Sequence, residues 1–120
     1  MRNVTIELAN GSVDGVFAVP ESGSGPGVIV IQEWWGLVPH IVDVVQRLAD
    51  AGFVAMAVDH YRGAQTTEPD VARKQMMGLS IAQVTEDLAT AADWLQARDE
   101  VAGTAIGVMG FCMGGGLALL

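Results

Sequence analysis

The segment that most constrains this chain is Gly110-Phe111-Cys112-Met113-Gly114. It lies between a run that reads as a buried strand (Thr104 to Met109) and one that reads as the opening of a helix (Gly115 to Leu120). Small-x-nucleophile-x-small at a strand-to-helix junction is the pattern of a nucleophile elbow, here with cysteine where serine is commoner. Such a turn is tight and strained, and a Cβ at either flank would strike the neighbouring strand or helix, so glycine is needed on both sides. A free thiol titrates at about 8.5 and is mostly protonated at neutral pH, so a nucleophilic cysteine needs its anion stabilised. The unpaired N–H groups of a helix that starts directly after Cys112 favour an anion. They can also hold the oxyanion of a tetrahedral intermediate, where losing one donor costs about 3 kcal/mol.

The rest of the composition bounds the setting. At 120 residues the chain is one domain at most, and with 51% apolar residues it has the material for a real core. The hydrophobic runs are short and broken by Gly, Pro and charge, so none approaches the about 20 apolar residues of a membrane helix. Met1-Arg2-Asn3-Val4-Thr5 has no apolar signal core, and a single cysteine excludes an internal disulfide. Both features fit a reducing cytoplasm. Fourteen acids against six bases give a net charge of −8, scattered along the chain. That disfavours nucleic acid as a partner.

Along the chain, residues 2 to 9 and 15 to 19 are β-rich runs joined by Asn10-Gly11-Ser12 and read as a hairpin. Glu21 to Gly27 is a loop, and Val28-Ile29-Val30-Ile31 is a continuous apolar strand of the kind found in a parallel sheet covered on both faces. Ile41, Val44, Val45 and Leu48 follow at helical spacing, with Pro39 near the start and Gly52 just past the end. Phe53 to Val58 reads as the next buried strand, with Asp59-His60-Tyr61-Arg62-Gly63 as its exit loop. A short helix is expected from Pro69 to about Gly78. Ser80-x-x-Gln83 has the form of a capping box opening a longer helix whose inner face is Val84, Leu88, Ala91 and Leu95. Val101 to Thr104 turns the chain into the elbow strand. This order predicts an α/β fold with a parallel core and right-handed crossovers.

Two further segments carry a resemblance. Gln32-Glu33-Trp34-Trp35-Gly36 ends the first core strand, and Asp59-His60-Tyr61-Arg62-Gly63 ends the second. With Gly110-Phe111-Cys112-Met113-Gly114-Gly115 they resemble the dienelactone hydrolase (carboxymethylenebutenolidase) family of the α/β-hydrolase fold, over the front half of a family member. The resemblance implies that Cys112 is the nucleophile and Glu33 the acidic partner that meets the thiol in the resting site. It places the oxyanion hole at the backbone N–H groups of Met113 and Trp34. It implies hydrolysis of an ester or enol-lactone through a thioester, with no metal or organic cofactor and a small-molecule substrate. Trp35, Tyr61, Arg62 and Arg73 are the substrate-binding candidates, and the two arginines hint at an anionic substrate. Arg62 reads equally well as a salt-bridge partner of a nearby acid. His40 and His60 read most simply as surface residues, and Met76-Met77 as helix packing.

In α/β-hydrolases the order is nucleophile, acid, histidine. After Cys112 the chain has neither Asp nor His. Residues 1–120 are therefore expected to be the N-terminal part of a single α/β-hydrolase domain, truncated after the elbow and inactive as such. Its last strand would be an open apolar edge able to drive self-association. The competing readings are a non-catalytic fragment or interaction module pairing through that edge, and a nucleotide-binding domain. The second fits poorly, because the glycines fall at the third core strand and a dinucleotide fingerprint belongs at the first βα turn.

Overall fold

Short apolar runs punctuated by glycine and proline make this chain alternate between strand and helix. The computed structural model describes residues 1–8 and 11–119. Ala9, Asn10 and Leu120 lie outside the described residues, and with them the expected turn at Asn10. The strands are β1 (Arg2–Leu8), β2 (Gly11–Ala18), β3 (Gly25–Ile31), β4 (Val54–Val58) and β5 (Val101–Gly110). The helices are α1 (Pro39–Asp50), α2 (Pro69–Met77), α3 (Ile81–Gln96) and α4 (Met113–Ala118). They form a single five-stranded sheet of order β1-β2-β4-β3-β5. β3, β4 and β5 run parallel, while the β1–β2 hairpin joins antiparallel through β2 against β4. The fold is α/β with a parallel core, as expected.

Strand alternation divides the core into two layers. Ile29, Ile31, Val54, Met56 and Phe17 face α3 and α4, and meet Val84, Ala91, Leu95 and Leu117. Val30, Ala55, Ala57, Val16 and Ala18 face α1, and meet Ile41, Val44, Val45 and Ala49. Every residue of β4 is buried, which is why its sequence is apolar without alternation. α1 ends in a Schellman arrangement: the Gly52 N–H donates to Ala49 O, the Phe53 N–H donates to Leu48 O, and Gly52 sits at φ 102°. At the start of α3, Ser80 Oγ accepts the Gln83 N–H at 3.2 Å. The Gln83 side chain also donates to Asp87 Oδ1 at 2.7 Å.

The sequence boundaries shift in three places, the first being β3, which starts at Gly25 inside the expected Glu21–Gly27 loop. β2 starts at Gly11, earlier than residue 15, because its pairing with β1 runs without a break from Leu8↔Gly11 to Arg2↔Phe17. The segment 101–104 belongs to β5. It contains an irregularity in which Gly25 to Gly27 of β3 faces Val101 to Ile106 of β5. β5 is an edge of the sheet, with Val108 45% exposed and no strand on its far side among the described residues.

Phe17 ties the sheet to α3. It is 1% exposed and meets the Trp94 ring edge-on at 5.4 Å. Phe17→Ala is expected to lower unfolding stability in urea by about 3–5 kcal/mol. A cost no larger than that of a surface substitution would remove Phe17 from this role.

Candidate active site

The C-terminal ends of β3, β4 and β5 open on the same side of the sheet, where parallel α/β sheets bind ligands. β5 ends at Gly110, Cys112 caps α4, and the turn between them is very tight. Cys112 has φ 55° and ψ −115°, a conformation that costs a non-glycine residue about 1–3 kcal/mol and is kept where the surroundings over-determine it. A Cβ on Gly110 would lie 2.2 Å from the carbonyl carbon of Gly114, and one on Gly114 would lie 2.5 Å from the Ile31 oxygen. Both elbow glycines therefore do what the sequence argument requires. The thiol is exposed.

The strand register brings the first acid to the elbow. Ile31 pairs with Gly110 at the ends of β3 and β5, and Glu33 and Cys112 each follow two residues beyond those ends. Glu33 starts a turn closed by the Gly36 N–H on its carbonyl (3.1 Å). Its Oε1 lies 2.9 Å from His40 Nδ1, and the His40 ring lies 5.9 Å from that of Phe111, next in sequence to Cys112. His40 is exposed, as expected, but it belongs to the site through Glu33. Trp34 and Trp35 pack edge-on at 5.3 Å. The backbone N–H groups of Met113 and Trp34 donate no hydrogen bond among the described residues.

The exit loop of β4 supplies the third wall. Asp59 folds it by accepting the N–H groups of Tyr61 (3.0 Å) and Gly63 (2.6 Å). The Tyr61 hydroxyl reaches Met113 Sδ at 3.4 Å, and burial pushes its pKa up to about 12, so it stays neutral. Arg62 has φ 55° and donates to Asp87 Oδ2 (3.3 Å) and to the Asp59 carbonyl (3.4 Å). Of the two readings of Arg62, the salt bridge is the one formed. Asp87, buried on α3, has no signal in the sequence beyond falling on the inner face with Val84 and Ala91.

His60 is not a surface residue. It is 7% exposed, neither ring nitrogen meets a hydrogen-bond partner among the described residues, and its N–H donates to the buried Gln32 Oε1 at 2.7 Å. Desolvation lowers its pKa to about 4, with Asp87 opposing and Arg62 assisting the shift. Arg73 lies on α2, exposed and 3.9 Å from Asp70. Met77 is 74% exposed, so it does not pack as expected, because α2 buries only Ala72. No three His, Cys, Asp or Glu side chains converge as a metal site among the described residues.

A parallel sheet core with a strained elbow at its C-terminal edge is the architecture of the α/β-hydrolase fold. Residues 13–120 match the dienelactone hydrolase family, and the chain belongs to it. It is 38% identical over 122 residues to Protein usf of Aquifex pyrophilus, covering 97% of this chain and 52% of that protein. It is 32% identical over 108 residues to carboxymethylenebutenolidase 1 of Cupriavidus pinatubonensis, covering 82% and 46%. A solved dienelactone hydrolase-like promiscuous phosphotriesterase from metagenomic libraries superposes with a TM-score of 0.81 at 32% identity, covering 98% of this chain and 52% of that one. The chain spans about half the length of the curated relatives it matches.

Two outcomes test this geometry. Gly114→Ala is expected to destabilise the fold by about 1–3 kcal/mol, because the added methyl meets backbone on β3; thermal unfolding of the variant checks this. The neutral form of His60 favours the folded state. Its contribution is complete above pH 6.5 and is lost as pH falls from 6.5 towards 4, by about 3 kcal/mol. Urea titrations across that window should show His60→Gln with a flatter profile than the parent. Parallel profiles would remove His60 as the source.

Proposed function

We infer that this chain carries the nucleophile half of a hydrolase for carboxylic esters or lactones. In this reading Cys112 Sγ attacks the acyl carbon, and the carbonyl π pair moves to oxygen. The N–H groups of Met113 and Trp34 receive that oxyanion. Collapse expels the alkoxide or enolate, which takes up a proton, and leaves a thioester on Cys112 that water then cleaves. The observation that carries this is the elbow itself: a cysteine in a strained backbone conformation at a helix start, beside two uncommitted N–H groups.

Glu33 is the proton acceptor for the thiol. A carboxylate beside a thiol would otherwise oppose ionisation by like-charge repulsion. The His40 contact on Oε1 fixes the orientation of the carboxyl group. Trp35 and Tyr61 are the substrate walls on this chain. Protonating the leaving group and activating the water call for a histidine beyond the nucleophile, which the resemblance assigns to the other half of a family member. Membership of the family weighs against a purely structural interaction module.

A stoichiometric test suits a chain with a nucleophile and an oxyanion hole. With p-nitrophenyl acetate, Cys112 is expected to acquire one acetyl group, located by mass spectrometry, about 10²-fold faster than in the urea-unfolded chain, the effect of one oxyanion donor. Turnover should be slow, and Cys112→Ala should abolish the adduct. Acylation no faster than in the unfolded chain would falsify the assignment.

A further inference from the structure

We propose that Gln32 is a positioning residue: its side chain holds the loop after β4, and through Tyr61 that loop holds Met113 at a fixed place beside the turn of Glu33 and Trp34. This rests on the hydrolase reading above, in which the N–H groups of Met113 and Trp34 receive the oxyanion.

Gln32 is the first residue beyond β3 and is completely buried, the one polar side chain directly after an apolar strand. Its Oε1 accepts the His60 N–H at 2.7 Å, and that donor dictates which end of the amide faces the loop, since only the oxygen can accept. The other end is left over: Nε2 is buried and meets no hydrogen-bond partner among the described residues. One bond made and one donor unmet give little net stability, because an unsatisfied buried donor costs about as much as a bond contributes. An apolar side chain of the same length would avoid the orphaned donor. A buried polar group that breaks this local rule is expected where it serves a site.

Two paths run from Gln32 to the start of α4. The first is backbone against backbone: a methyl on Gly114 would fall 2.7 Å from the Gln32 oxygen. The second leaves from the Gln32 side chain, enters the loop at the His60 N–H, and passes to the next residue, Tyr61, whose hydroxyl donates to Met113 Sδ at 3.4 Å. Burial raises the pKa of that hydroxyl to about 12, so it keeps the proton that makes the bond. The paths end on Met113 and Gly114, consecutive residues at the start of α4, while Trp34 follows Gln32 by two positions. An oxyanion donor works only within roughly 2.7–3.1 Å of the oxygen. A shift of about 1 Å can cost about 10²-fold in rate. Backbone contact alone limits how close α4 can come, and the side-chain path keeps it from moving away.

The test sets two reactions of Cys112 side by side. Acylation by p-nitrophenyl acetate builds an oxyanion; alkylation by iodoacetamide displaces iodide at a saturated carbon and builds none. Gln32→Met removes the acceptor and keeps the length of the side chain. It is expected to slow acylation about tenfold and to leave alkylation within about two-fold, a split that a merely structural role would not produce. Tyr61→Phe, which keeps the ring and removes the hydroxyl, should slow acylation several-fold with the same split. Because both act through one path, the double variant should be no more than about two-fold slower than the slower single variant. An acylation-to-alkylation ratio in Gln32→Met within two-fold of the parent, a parallel fall in both reactions, or fully multiplicative losses in the double variant would each overturn the inference and leave the hydrolase reading intact. If Gln32→Met does not fold, the ratio in Tyr61→Phe decides, and no change in it overturns the inference. A parent chain that acylates no faster than its urea-unfolded form sinks the hydrolase reading, and the inference with it.

Discussion

Everything at the functional end of this molecule depends on the contact between the elbow and the end of β3. α4 approaches β3 so closely that a single methyl on Gly114 would fall 2.5 Å from the Ile31 oxygen and 2.7 Å from the Gln32 oxygen. That approach sets the start of α4 against the residues leading to Glu33 and Trp34. It is also what keeps Cys112 in a backbone conformation that an isolated peptide would abandon. The two layers of packing around β3 and β4 act as the clamp. Ile29, Ile31 and Met56 on one face and Val30 and Ala55 on the other leave β3 no freedom to retreat from the elbow.

The loop after β4 is tied to the same point by side chains as well as by backbone bonds, the Asp59 N–H donating to the Asp14 oxygen and the Thr66 N–H to the Trp35 oxygen. The Gln32 side chain accepts the His60 N–H, Asp59 closes the turn, and Asp87 holds Arg62 from α3. These three bonds come from three different elements, and together they fix where Tyr61 lies relative to α4. At this junction His60 is buried with no hydrogen-bond partner on either ring nitrogen among the described residues, an arrangement that disfavours its charged form. Because that histidine is neutral when folded, the junction weakens on the acid side of its ordinary pKa.

The parts legible in the sequence were those governed by short-range rules. Hydrophobic runs gave the core strands, Pro39 and Gly52 bracketed α1, Ser80 marked the start of α3, and the glycines of the elbow announced its geometry. The parts that were not legible are contacts between residues far apart in the chain. Asp87 lies 25 positions from Arg62, and nothing local in α3 distinguishes an acid that faces a guanidinium from one that faces water. His60 reads as a surface residue because nothing local marks its burial, and its bonded neighbour Gln32 lies 28 positions earlier in the chain. His40 was visible as a residue, but its pairing with Glu33 required knowing that the first turn of α1 folds back beside the end of β3. Met77 failed in the other direction: a helical apolar residue packs only where a neighbour exists, and α2 buries only Ala72.

The scarcity of basic residues links composition to chemistry. The chain has six Lys and Arg, and each has a structural assignment. Arg2 lies over the Phe17 ring and reaches Glu100, and Arg98 lies over Trp94. Arg47 and Lys74 sit in the last turns of α1 and α2, where the helix dipole favours a cation. Arg62 and Arg73 face Asp87 and Asp70. None of the six is seen to bond Cys112 or Glu33 among the described residues. In the proposed hydrolase reading, developing negative charge would be met by backbone: the N–H groups at the start of α4 and at Trp34, beside glycines that allow the close approach. A site polarised by peptide dipoles selects for the shape and position of a carbonyl oxygen.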